Sequence, residues 1–223
     1  MQNLLSNFKI TINDKLFLKD PETSELGKKI IQHSILLMDE IGFEAFTFKK
    51  LGNQINSNES SIYRYFENKN KLLVYLSYWY WSWIEYNLVF ATTNISNPME
   101  KLIIGIKTVT QYIEDDKNTA HIDESILYKI IVAEFNKTLL NKEVDVDNNG
   151  DFFLVYKRII HRIINMIEEV NPNYNYSKTL ASTIVDGNLH QNYLKNHFQS
   201  LTNLADKDCI ADFYTDIIKK VLQ

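Results

Sequence analysis

Between positions 47 and 69 the chain gathers side chains suited to holding nucleic acid: Thr47, Glu59, Ser60, Ser61, Tyr63, Arg64, Tyr65 and Lys69. Hydroxyl, phenol and ammonium groups such as those of Thr47, Tyr63, Tyr65 and Lys69 bond phosphate oxygens and so fix a helix on a duplex. Polar residues near the N-terminus of a helix in the major groove, here Glu59, Ser60, Ser61 and Arg64, can reach base edges. Such a helix also needs an apolar inner face, which Ile62 and Phe66 supply. Glu59 has two readings: it can accept from a cytosine amino group, or it can simply suit the positive end of the helix dipole.

These residues need short, sharply joined helices to present them. Thr47 can cap a helix from Phe48 to Ile55, Asn56-Ser57-Asn58 forms a tight turn in which Asn56 tolerates a left-handed backbone, and a further helix runs from Glu59 to Phe66. Two short helices about a three-residue turn make a helix-turn-helix. Ahead of them, Asp20-Pro21 with Glu22 and Glu25 reads as a helix start, followed by Leu26, Ile30, Ser34, Leu37, Met38 and Ile41 on one face and a stop at Gly42. Residues 1–19 read as an extension. Asn68 caps a long helix from Lys69 to Ala91, Asn97-Pro98 opens another to Asp115, and helices follow over 123–141, 151–170, 177–200 and 205–222.

The segment IIQHSILLMDEIGFEAFTFKKLGNQINSNESSIYRYFENKNKLL, Ile30 to Leu73, resembles the DNA-binding region of TetR-type (tetracycline-repressor-like) regulators. The likeness lies in Gly42-Phe43, Thr47 three residues after Glu44, Phe48 and Leu51, Ile62-Tyr63-Arg64-Tyr65-Phe66, and Lys69 before Leu72-Leu73. It implies an all-α protein: an N-terminal helix-turn-helix three-helix unit over 20–68, then a larger helical effector-binding and dimerisation domain over 69–223. It also implies a homodimeric repressor released by a small-molecule effector, with a double-stranded DNA operator as partner. In that family, positions like Thr47, Tyr63, Tyr65 and Lys69 hold DNA backbone, and those like Glu59, Ser60 and Arg64 face bases or phosphates. The chain departs from the pattern at Asn56, Ser57 and Asn58 of the turn, at His33, and at Glu59, where Lys is common. Glu59 and the net charge of −4 keep open an alternative, a helical small-molecule or protein-binding module of the same fold with weak or no DNA binding.

Composition agrees with a helical chain. Among 223 residues there are 6 Gly and 3 Pro, too few for the turns of a many-stranded sheet protein. Up to Leu76 there are 10 Lys and Arg against 9 Asp and Glu, and beyond it 14 against 19, so the first part is nearly neutral and the second acidic. Leu72 to Ile84 is uncharged but shorter than the roughly 20 residues of a membrane span, and no secretory signal opens the chain, so a cytoplasmic protein without membrane contact is expected. A single cysteine, Cys209, makes no intramolecular disulfide.

Aromatic residues crowd the long helix, where helical spacing sets Trp79, Trp83 and Tyr86 on one stripe that could line an effector pocket or serve as ordinary core and dimer packing. Asp145 to Gly150 imitates the first half of a calcium loop, but Tyr156 stands where the bidentate Glu belongs. The histidines His33, His121, His161, His190 and His197 lack the spacing of a zinc site. With no GxSxG, GxxxxGK[ST] or GxGxxG element, no enzyme activity, cofactor or metal is expected.

Overall fold

A computed structural model describes residues 10–111, 113, 121–139, 153–204 and 209–222, with the side chains of 135–139 left aside. The described residues contain nine α-helices and no strand: α1 Glu25–Ala45, α2 Phe48–Gln54, α3 Glu59–Tyr63, α4 Lys69–Thr92, α5 Pro98–Thr110, α6 Glu124–Leu139, α7 Leu154–Val170, α8 Ser177–His197 and α9 Cys209–Val221. Two compact units emerge, Met1–Tyr80 with Ile113–Phe153, and Trp81–Tyr112 with Leu154–Gln223. The calcium-like loop at 145–150 lies outside the described residues.

Local caps set most helix starts. Asn58, Asn68 and Asn97 accept the N–H of Ser61 (2.8 Å), Lys71 (2.9 Å) and Glu100 (3.0 Å), each three residues on, and Asp123 does the same for Ile126 (3.0 Å). Each satisfies an amide that the first helical turn leaves without a partner.

The first helix corrects the sequence reading. Asp20-Pro21 opens only a 3-10 turn, Pro21–Thr23, with Asp20 Oδ1 accepting from Glu22 N–H (2.9 Å). Ser24 then turns extended (φ −151°) and its hydroxyl accepts from Gly27 N–H (3.1 Å), so the α-helix begins at Glu25. Gly42 breaks the helix where a stop was expected: its φ of 76° and ψ of 156° are open to glycine without strain, and one further turn follows to Ala45.

In the first unit Ile30, Ile35, Phe46, Leu51, Ile62 and Phe66 are fully buried or nearly so, and α2 packs on both α1 and α3. Residues 16–18 join this core. Leu16 is buried, Phe17 meets Tyr75 edge-on with ring centroids 6.2 Å apart, and Leu18 N–H donates to the Tyr65 carbonyl (2.7 Å). In the second unit α7 packs on α5 and α8, burying Val155, Ile159, Ile163 and Ile167 from one face of α7, as a helical period requires.

Candidate nucleic-acid interface

The helix-turn-helix is built by three local devices. Thr47 Oγ1 accepts from Lys50 N–H (3.2 Å) and starts α2. Asn56 takes φ 53°, and Ser57 N–H returns to the Gly52 carbonyl (2.8 Å). A Cβ on Gly52 would sit 2.7 Å from the Ser57 carbonyl oxygen, so only glycine lets the turn fold this closely on α2. Asn58 Oδ1 then accepts both the N–H and the hydroxyl of Ser61 (2.8 and 2.7 Å).

Asn58, and not Glu59, is therefore the side-chain cap of α3. Glu59 stands in the first turn, half-exposed, where its charge complements the helix N-terminus. The α-helix ends at Tyr63, earlier than Phe66, though Phe66 N–H still donates to the Ile62 carbonyl (3.2 Å).

The residues singled out from the sequence divide into two groups. Thr47, Ser60, Tyr63 and Arg64 are exposed and Glu59 and Ser61 half-exposed. Tyr63 keeps 46% of its surface while its ring meets Phe48 at 5.0 Å, inclined by 71°. Arg64 has no hydrogen-bond or ion-pair partner among the described residues and follows α3 directly.

Tyr65 and Lys69 face inward instead. Tyr65 is 3% exposed, its hydroxyl 2.8 Å from Ser24 Oγ and accepting from Lys19 Nζ (3.3 Å). Burial raises the phenol's pKa, but hydrogen bonds to Ser24 and Lys19 and the charges of Lys19 and Arg64 outweigh it and leave it below the ordinary value. Lys69 Nζ donates to the carbonyls of Phe43 (3.0 Å), Glu44 (3.1 Å) and Phe46 (3.3 Å). An ammonium has three protons, and these carbonyls close the end of α1, so the side chain is a C-terminal cap in this conformation. Sequence reasoning missed both roles, as it missed Lys19, because each rests on a partner more than twenty positions away.

Of the aromatic stripe, Trp79 and Trp83 are buried and Tyr86 is half-buried, stacked on Phe90 at 6.3 Å. His121 Nε2 lies 2.8 Å from Glu22 Oε1. Among the described residues no group of three or more His, Cys, Asp or Glu could hold a metal ion, and no helix is long and apolar enough to cross a membrane.

Residues 30–76 match the family model of bacterial regulatory proteins of the tetR family. The matched span takes in α1 from Ile30 onward, all of α2 and α3, and the start of α4, so the likeness to that family lies in the helix-turn-helix segment. No curated protein sequence matches the chain. Solved structures extend the likeness beyond the matched segment. AibR, in a complex with isovaleryl coenzyme A and operator DNA, has a TM-score of 0.60 at 15% identity, over 85% of this chain and 97% of that one. A tetR-family regulatory protein from Rhodococcus RHA1 gives 0.63 at 13% identity, over 89% and 97%. The superantigen PfiT gives 0.60 at 16% identity, over 91% and 98%. At these identities the likeness is one of fold, and a fold hosts more than one activity.

Proposed function

We propose that the protein is a cytoplasmic, homodimeric, effector-responsive transcriptional regulator that represses by binding an operator and is released by a small molecule. One observation carries this reading: a capped helix-turn-helix within the tetR-type match presents Ser60, Tyr63 and Arg64 outward from α3, with Thr47 exposed at the start of α2. The exposed side of that segment offers hydroxyls and an arginine without an acid partner among the described residues, the chemistry that phosphates and base edges take. AibR, of like fold, forms a complex with both isovaleryl coenzyme A and operator DNA, which supports the pairing of DNA and effector.

Dimerisation draws support from α8, α9 and the 3-10 turn Gln199–Leu201, which leave Tyr193, Phe198, Leu201, Phe213 and Val221 exposed. A second copy would bury them as a four-helix interface. Release follows as a population shift: effector binding favours a state in which α4 moves and the two recognition helices no longer match half-sites one helical turn apart. The aromatic stripe of Trp79, Trp83 and Tyr86 belongs to this proposal as an effector-facing surface. No part of the proposal calls for catalysis.

The test is binding to fragments from around the protein's own gene against random DNA at fixed salt. A ratio of roughly a thousandfold or more supports a specific operator. Equal, weak binding to all fragments, with a stable folded dimer, would favour instead a binding module that keeps the fold, the reading toward which Glu59 and the net charge of −4 lean.

A further inference from the structure

We propose that Arg158 and Arg162 on α7, oriented by Glu85 on α4, form a binding site in the second unit for a phosphate-bearing small molecule. Glu85 is buried, and both of its oxygens are engaged. Arg158 Nε lies 3.0 Å from each, Arg158 Nη2 donates to Oε2 (2.6 Å), and Arg162 Nε donates to Oε1 (3.0 Å). Two guanidinium groups thus converge on this one carboxylate.

Arg162 commits only its Nε to this contact. No described residue accepts from its two terminal nitrogens, and its side chain is 43% exposed. Those two nitrogens form the planar edge that matches two phosphate oxygens at once. Glu85 fixes the plane of the group from behind, as an outer carboxylate fixes a metal-ligating side chain.

The surroundings are basic in an otherwise acidic part of the chain. Residues 157–162 read Lys-Arg-Ile-Ile-His-Arg, with Ile159 buried and Lys157 and His161 exposed. The acids of α7 lie farther along and are engaged: Glu168 accepts from Ser177 Oγ (2.7 Å), and Glu169 from Lys101 Nζ (2.9 Å). Beyond Leu76 acids outnumber bases by 19 to 14, so this stripe is not a by-product of general basic composition.

As a statement about the effector, this rests on the regulatory reading above, and the experiment keeps the two apart by measuring anion binding without DNA. Inorganic pyrophosphate is titrated into the full chain by calorimetry at constant ionic strength, alongside Arg162→Gln, Arg162→Lys and Arg64→Ala. Saturable binding is expected, weakened about tenfold or more in Arg162→Gln. Arg162→Lys, which keeps the charge and loses the fork, should also bind more weakly, and Arg64→Ala should bind as the unaltered chain does. Absence of saturable binding, equal binding by both Arg162 variants and the unaltered chain, or loss in Arg64→Ala alone overturns the site. So does a fall in DNA affinity in Arg162→Gln without any effect of pyrophosphate, which assigns the stripe to duplex backbone. If pyrophosphate binds through Arg162 while no DNA is bound specifically, the site stands and the regulatory reading falls.

Discussion

The hydroxyls of Tyr65 and Ser24 lie 2.8 Å apart, and Ser24 Oγ is also the cap that accepts from Gly27 N–H. The end of the recognition segment is thereby tied to the first turn of α1, and Lys19 of the extension completes the cluster through its bond to the same phenol (3.3 Å). Tyr65 thus acts as a positioning residue. Tyr65→Phe keeps the buried ring and removes the hydroxyl, and is expected to lower unfolding free energy by about 1 kcal/mol. DNA affinity measured at a temperature well below the transition should change little. A large loss of affinity with no change in stability would return Tyr65 to a phosphate role.

Lys69 makes the same kind of claim at the other end of α1. Its three carbonyl bonds are charge-assisted, but the site is partly exposed, so Lys69→Met should cost about 1–2 kcal/mol in chemical denaturation. Because the ammonium of Lys69 is engaged by main chain, the salt dependence of DNA binding should keep its slope in this variant. A slope shallower by about one would show a phosphate contact instead.

Arg64 is the residue on which the DNA reading most depends. Arg64→Ala should weaken operator binding by roughly 1–3 kcal/mol, with relaxed preference at one position if it reads a base and a uniform loss if it touches phosphate. Since Asn58 caps α3, Glu59→Lys separates the two readings of Glu59 with the cap left in place. Eroded specificity with higher non-specific affinity marks a base reader, and intact specificity marks a helix-end role. Unchanged binding in both variants rejects the recognition-helix assignment.

Phe213 on α9 is 43% exposed, and Lys219 and Lys220 lie farther along the same helix. In the proposed dimer it is covered by the second copy. Phe213→Glu should shift light-scattering mass to the monomer at micromolar concentration, because it places a charge in a dehydrated interface. Persistence of the dimer would move the interface away from α9.

What could be read in advance follows from the reach of each interaction. Thr47, Asn58, Asn68 and Asn97 each bond an amide three residues on, so the cap and its partner sit in one short window, and the left-handed Asn56 is as local. Asp20-Pro21 shows the limit of such signals: Asp20 does cap, but only a 3-10 turn, since the extended backbone of Ser24 restarts the helix. The inward turn of Tyr65 depends on Ser24, 41 positions away, and the clamp on Glu85 on Arg158, 73 away. Periodicity marks both faces of a helix this short as plausible for Tyr65, and only the packed extension decides between them. The pairing of Arg158 and Arg162 with Glu85 is hidden for the same reason, since the partner lies on another helix.

Two carboxyl groups of the second unit respond to acid in opposite senses. For Glu85, burial raises the pKa, but the hydrogen bonds and charges of Arg158 and Arg162 outweigh it and hold it below the ordinary 4.5. Its contribution to stability is present above that value and lost as pH falls through the lower folded value. Glu85→Gln should lower stability near neutrality by about 1–2 kcal/mol, discounted for the half-exposed arginines, and flatten the acid limb of the stability curve. Asp186 on α8 is the reverse. Burial lifts it above 3.8 although the Tyr156 hydroxyl donates to it, and its charge joins burial in pushing the Tyr214 phenol up to about 12. A raised carboxyl binds its proton more tightly in the folded chain. Its stabilising effect is therefore complete below 3.8 and lost as pH rises through the folded value, leaving a penalty at neutral pH. Asp186→Asn keeps an acceptor for Tyr156 and removes the buried charge, so it should raise Tm at neutral pH by a few degrees, roughly, with the gain shrinking as pH falls. Thermal unfolding followed across roughly pH 4 to 8 reads both variants, and a lower Tm for Asp186→Asn at neutral pH would show that the Tyr156 bond to the ionised carboxylate outweighs the cost of its burial.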